Sequence, residues 1–118
     1  MLQRNRFTPS PEARPPQGVR FTELRVEPWP DGRRVRVHVS ITPFQKNPNL
    51  EAVITDPAGN EVARASIIET ADVRFVFTMH IKGMDVNGTY TLSANLNYEE
   101  TGQVDSRSIP FETNAEIG

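Results

Sequence analysis

Few side chains in this sequence could do chemistry, and their spacing limits what that chemistry could be. There are two histidines, His38 and His80, and no cysteine, so thiol nucleophiles and thiolate metal sites are excluded. No Gly-x-Ser-x-Gly elbow, His-Glu-x-x-His pair, phosphate-binding P-loop or dinucleotide fingerprint occurs. Both histidines stand in alternating runs that also carry cations: Arg34, Arg36 and His38 in one, Arg74, His80 and Lys82 in the other. If the runs lie side by side, the imidazoles approach each other. A metal would still need a third ligand, and the surrounding guanidinium and ammonium groups repel a cation. The expectation is therefore no metal, no cofactor and no catalysis.

Weaker signals point the same way. Asp85-Val86-Asn87-Gly88 starts like a calcium loop, but the later ligands and closing glutamate do not follow, so it reads as a turn. Glu99 and Glu100 are adjacent, point to opposite faces of a strand, and form no paired carboxylate site. Asn87-Gly88-Thr89 is formally a glycosylation sequon and reads as coincidence without a secretory signal.

What remains is recognition. Arg34, Arg36, His38, Arg74, His80 and Lys82 form a basic stripe, extended by Arg20 and Arg25, and by Arg64 if its strand is in register. No exposed aromatic residues interleave to stack on bases, so protein is favoured over nucleic acid as the partner. The partner is expected to be an acidic protein surface, in a larger assembly or on another copy of the chain. A second reading places a sugar or anion on loops at one end, with Trp29, Phe44, Asn47 and Asn49 supplying stacking and hydrogen bonds. The plain alternative for these four is ordinary loop residues, with Trp29 tucked over the end of the core.

The elements that position these residues are strands. From Asp72 to Tyr98, two long alternating runs flank the turn-forming stretch Lys82–Gly88. Val73, Phe75, Phe77, Met79 and Ile81 alternate with polar residues in the first run, and Tyr90, Leu92, Ala94, Leu96 and Tyr98 do so in the second. Period two over that length marks half-buried strands. Five further strands are expected: Val19–Glu27 with an irregularity near Thr22-Glu23, Arg33–Thr42, Leu50–Thr55, Glu61–Glu69 in one or two pieces, and Val104–Glu112. Pro28-Trp29-Pro30-Asp31-Gly32 and Asp56-Pro57-Ala58-Gly59-Asn60 are turn signals, and Pro110 belongs on an edge strand. Seven short strands, with no amphipathic helix, describe an all-β antiparallel sandwich spanning 19–113. Residues 1–18, with Pro9, Pro11, Pro15 and Pro16 among Arg4, Arg6 and Arg14, read as an extended arm, and 114–118 as a short tail.

The net charge of −2 conceals a split. Met1–Lys46 carries nine basic and four acidic residues, a balance of +5, while 47–118 carries four and eleven, a balance of −7. Such a split implies surfaces of opposite sign. No apolar run approaches the roughly 20 residues of a membrane span. The start Met1-Leu2-Gln3-Arg4-Asn5-Arg6 lacks an apolar signal region, so cytoplasmic residence is expected.

One stretch carries a resemblance. Asp85-Val86-Asn87-Gly88-Thr89-Tyr90-Thr91-Leu92 looks like the turn into strand F of immunoglobulin-like sandwiches, which often carries Gly-x-Tyr. Together with Asp56-Pro57-Ala58-Gly59 upstream, it is similar to bacterial immunoglobulin-like and macroglobulin-like modules. The resemblance implies Gly88 as the turn residue and Tyr90 as a tyrosine corner. It places Leu92 where antibody domains have a cysteine, with Val37 or Val39 opposite it in strand B, so that an apolar contact replaces the bridge. The strand-C tryptophan is missing, because Trp29 falls before strand B. In the immunoglobulin order strands B and E are neighbours, which would join the two halves of the basic stripe. The resulting expectation is a non-enzymatic structural or adaptor domain that binds protein through its arm and basic face. A loop-end module for carbohydrate or anion is the alternative.

Overall fold

A computed structural model of the chain describes residues 11–30, 32–82 and 88–113. Seven strands are present: β1 (Phe21–Pro28), β2 (Arg34–Ile41), β3 (Asn49–Thr55), β4 (Glu61–Ile67), β5 (Arg74–His80), β6 (Gly88–Tyr98) and β7 (Gly102–Thr113). All pair antiparallel, in a three-stranded sheet ordered β1-β2-β5 and a four-stranded sheet ordered β4-β3-β6-β7. This is an immunoglobulin-like β-sandwich. In the constant-type arrangement the fourth strand joins the first sheet; here β4 pairs with β3 and widens the second.

Alternation built the core as the sequence predicts. Val35, Val37, Val39 and Ile41 of β2 are buried and meet Leu50, Ala52 and Ile54 of β3 and Tyr90, Leu92, Ala94, Leu96 and Tyr98 of β6. Leu92, Val37 and Val39 all lie in this one cluster, where antibody domains place their disulfide. The irregularity near Thr22-Glu23 is a bulge between Phe21 and Glu23. β4 is a single strand that stops at Ile67, and β7, with Pro110, is an edge strand.

The runs on either side of Lys82–Gly88 do not pair with each other. β5 lies in the three-stranded sheet and β6 in the four-stranded one. Both runs have one apolar face, and that condition is met equally well by facing each other across a core as by lying side by side. Residues 83–87 lie outside the described residues, and with them most of the turn and the upstream backbone a tyrosine corner would address. Gly88 itself has φ +144°, and a Cβ there would stand 2.9 Å from the Pro57 ring, so the position requires glycine. Tyr90 is fully buried, with its ring stacked on Phe111 at 5.9 Å between centroids.

The two flanks of the sandwich are closed differently. On the β1/β7 flank, Phe21 N–H donates to Asp105 Oδ2 at 2.8 Å and Arg107 donates to the Phe21 carbonyl at 3.0 Å. Arg20 adds a bond to the Val104 carbonyl at 3.1 Å. On the β4/β5 flank, Lys82 N–H reaches the Val62 carbonyl at 3.1 Å at one end. Beyond that lie partly buried Ala63, Ala65, Ile67, Phe75 and Phe77.

The described part of the N-terminal arm is docked. Arg14 N–H donates to the Pro43 carbonyl at 3.0 Å, and Gln45 N–H donates to the Arg14 carbonyl at 2.9 Å, forming a parallel bridge between Arg14 and Phe44. A 3-10 turn, Pro16–Gly18, then leads into fully buried Val19.

Candidate functional site

The basic stripe comes from β2 and β5. Their register sets Arg34 opposite His80, Arg36 opposite Thr78, His38 opposite Val76 and Ser40 opposite Arg74, all on the outer face of the three-stranded sheet. Lys82 continues that alternation past the end of β5, and its side chain is exposed beside His80. The neighbourhood of the two strands, on which this face depended, is therefore observed.

β1 modifies the face. Its register brings Glu27 beside Arg36 and Arg25 beside His38. His38 Nε2 lies 3.1 Å from Glu27 Oε1, and Arg25 pairs with Glu23 at 3.4 Å. The hydrogen bond from His38, reinforced by the charges of His38, Arg36 and Arg25, holds the Glu27 carboxyl below its ordinary value. The stripe is thus bordered by two carboxylates on its β1 side and open on its β5 side. Arg25 does extend the face. Arg20 does not, because its guanidinium is spent on the carbonyls of Gln17, Val19 and Val104. Arg64 belongs to the other sheet, where Glu61 at 2.8 Å and Glu51 at 2.9 Å hold it and push its pKa up.

The four loop candidates are not brought together. Trp29 follows β1, at the end where Trp29 N–H bonds the Arg34 carbonyl. Phe44 follows β2 at the opposite end, because antiparallel neighbours joined by the 29–33 turn run away from each other. The expected cluster of Trp29, Phe44, Asn47 and Asn49 at one end is corrected accordingly. The Trp29 ring is also occupied: the Arg34 guanidinium carbon lies 4.0 Å from its centroid and that of Arg36 5.4 Å. Phe44 packs against the core instead of presenting a stacking surface.

Asn47 and Asn49 do share a site. A cleft of about 350 Å³ opens among the β2–β3, β4–β5 and β6–β7 connections, lined by both residues with Ile68, Glu69, Asn97 and Tyr98. Two amides that line it, Asn49 and Asn97, are linked to each other and on to Asn95 further along β6. Glu69 N–H donates to Asn49 Oδ1 at 2.8 Å, Asn49 Nδ2 to Asn97 Oδ1 at 3.5 Å, and Asn97 Nδ2 to Asn95 Oδ1 at 2.8 Å. Glu69 takes a left-handed φ of 51° there. Tyr98 donates its hydroxyl to the Lys46 carbonyl at 2.7 Å, and Lys46 pairs with Glu100 at 2.6 Å at the rim. Asn95, Asn97 and Glu69 were not singled out by the sequence. The alternation of Asn95 and Asn97 was visible, but only the β3–β6 register sets Asn49 against Asn97.

Among the described residues, no group of three or more His, Asp or Glu side chains is placed to hold a metal ion, and no helix is long and apolar enough to cross a membrane.

The architecture is that of immunoglobulin-like sandwich modules. No family model matches the chain, and no curated protein matches it. Solved structures do share its fold. A family 76 glycoside hydrolase from a bovine Bacteroides thetaiotaomicron strain is similar with TM-score 0.61 and 16% identity, over 79% of this chain and 20% of that one. A glycosyl hydrolase family 2 member from Bacteroides cellulosilyticus gives TM-score 0.55 and 13% identity, over 80% and 15%. A β-glucuronidase from Ruminococcus gnavus gives 0.56 and 10%, over 81% and 16%. The chain therefore spans a fifth or less of the length of these proteins, as one module within each.

Proposed function

We propose that this chain is a non-enzymatic accessory domain that docks onto an acidic protein surface. The observation that carries the reading is the β2–β5 register, which gathers Arg34, Arg36, Arg74 and His80 onto one exposed sheet face. Charged faces of this kind steer association and set the orientation of docking more than they add affinity, so the partner should be held in a salt-dependent way. The docked segment 11–18 supports a role for the arm, because Arg14 and Ala13 hold it against the Pro43–Gln45 connection. The modular share of the similar structures, a fifth or less of each chain, agrees with an accessory role.

The test is affinity capture from native extract, comparing the wild-type chain with Arg36→Glu/Arg74→Glu. A partner retained by the wild type at low salt, and released by the double variant or by high salt, supports the reading. Capture that is indifferent to both, or no capture at all, counts against it.

The cleft supports a second reading. Its linked amides offer oriented donors and acceptors of the kind that bind hydroxyl groups, and exposed Ile68 supplies an apolar wall. Saturation-transfer NMR with neutral oligosaccharides, using Asn49→Ala and Asn97→Ala as controls, separates the two readings. Transfer that these substitutions abolish supports a glycan site, and the lack of any transfer removes it.

A further inference from the structure

The two lateral flanks of the sandwich have been treated oppositely by the sequence. β7 points Asp105 and Arg107 inward, opposite Leu96 and Ala94. Both side chains then close on the Phe21 backbone, so this edge is protected by inward charges. β5 lacks such a device: its inward residues next to the open flank are Phe75 and Phe77, both only partly buried. Two of the three most exposed large apolar residues among the described residues also fall on or next to this strand, Val76 at 51% and Val73 at 42%.

The free edge of β5 has defined hydrogen-bonding positions. Ile41 N–H bonds the Val73 carbonyl, and Ile81 N–H bonds the Arg33 carbonyl, both at 2.8 Å, so odd-numbered residues of this segment turn their peptides toward β2. The N–H and C=O groups of Arg74, Val76, Thr78 and His80 consequently point away from the sheet, where no described strand pairs with them. Asp72 lies just before β5 and Arg74 opens it, while His80 and Lys82 lie at its other end, with uncharged Val76 and Thr78 between.

We propose that the β5 edge is the seam of a two-fold dimer, pairing antiparallel with β5 of a second copy in a register centred on Val76. In this register Val76 meets the partner's Val76, Arg74 meets the partner's Thr78, and Asp72 meets the partner's His80, with every outward N–H and C=O from Arg74 to Thr78 satisfied. On the inner side, Phe75 lies opposite the partner's Phe77, covering the ring surface that the open flank exposes. Antiparallel pairing in this register sets Asp72 opposite the partner's His80 and leaves Arg74 opposite an uncharged threonine, and an isologous two-fold axis supplies that match twice. The result is a continuous six-stranded sheet that merges the two basic faces. The inference goes beyond the docking reading above, since its seam is the strand edge and its partner is a second copy.

Light scattering coupled to size exclusion, with sedimentation equilibrium on the full chain, tests it. Twice the 13.3 kDa chain mass is expected. Val76→Pro removes an N–H that β2 does not use and should give a folded monomer. Asp72→Lys and His80→Asp should each weaken the dimer at least tenfold, and the double swap Asp72→Lys/His80→Asp should recover it. The swap keeps the test valid should the proline variant misfold. A wild-type chain that is monomeric up to millimolar concentration overturns the proposal. So does a dimer that survives Val76→Pro in the folded state, or one indifferent to the charge swaps. Partner capture indifferent to Arg36→Glu/Arg74→Glu, with the dimer intact, would sink only the docking reading.

Discussion

Tyr98 shows how one side chain joins packing to loop placement. Its ring is buried in the core while its hydroxyl reaches the Lys46 carbonyl at 2.7 Å, pinning the β2–β3 connection that forms one wall of the cleft. Tyr98→Phe should destabilise the fold by about 0.5–1.5 kcal/mol, read from the urea midpoint. Burial also pushes the phenol pKa above its ordinary 10.0. The folded state therefore favours the protonated phenol. That contribution is complete below about pH 10 and is lost as pH rises through the folded value. The wild-type melting temperature should fall more steeply above pH 10 than that of Tyr98→Phe. Equal alkaline slopes would disprove this assignment.

At the scale of elements, the outcome depends on how edges end. Arg20 pairs with Thr42 on β2's side, its carbonyl accepting from Thr42 N–H at 2.9 Å, so the N–H of that same peptide, carried by Phe21, faces away from β2. Asp105 catches it and Arg107 the Phe21 carbonyl, standing in for a neighbouring strand at the bulge where β1 leaves its regular register. Asp105→Ala leaves the Phe21 N–H without its acceptor and should cost roughly 1–3 kcal/mol. Because both side chains act on the backbone of one residue, Asp105→Ala and Arg107→Ala should be non-additive, with a coupling of about 0.5 kcal/mol or more in a double-mutant cycle. Strict additivity would mean that the two contacts act independently. The sequence made the strands and the Thr22-Glu23 irregularity legible, because alternation and turn residues are local. It did not reveal that Asp105 and Arg107 point inward, since that follows from pairing with Leu96 and Ala94 on another strand.

For the whole molecule, the charge split takes a different form from two oppositely charged sheet faces. Of the described basic residues of the first half, Arg25, Arg34 and Arg36 fall on β1 and β2, and Arg14, Arg20, Arg33 and Lys46 lie in the arm and connections. The described acidic residues of the second half are dispersed: Glu69, Asp72, Glu99 and Glu100 on end connections, Asp56 in a turn, Asp105 on a flank, and Glu51, Glu61 and Glu112 on strands of the four-stranded sheet. On the outer face of the four-stranded sheet, uncharged Thr91, Ser93, Asn95, Ser106 and Ser108 separate Glu112 from Glu51, and Arg64 pairs with Glu51 and Glu61. Stacking one copy's basic face on another's second-half surface therefore lacks a concentrated acidic counterpart. The arm is likewise part of the body from residue 11 onward. A chain beginning at Gly18 loses the Arg14 bridge to Phe44 and the Gln45 Nε2 bond to the Ala13 carbonyl. It should melt several degrees below the full chain by circular dichroism, whereas an unchanged melting temperature would show that the docked segment adds nothing to stability.

The sequence by itself determined the strand pattern, the seven elements to within about two residues at either end, the core residues, the edge position of β7 and the special need for Gly88. Each of these depends on side-chain alternation, proline's missing donor or glycine's backbone freedom, all written locally. Only the tertiary structure decided that the runs around Lys82–Gly88 occupy different sheets, and that Trp29 and Phe44 stand at opposite ends. It alone gathered Asn49, Asn97 and Glu69 at one cleft and left the β5 edge open while β7 is closed. Those outcomes turn on which strand lies beside which. An alternating pattern requires each strand to bury one face, and it is silent on the neighbour that supplies the hydrogen bonds.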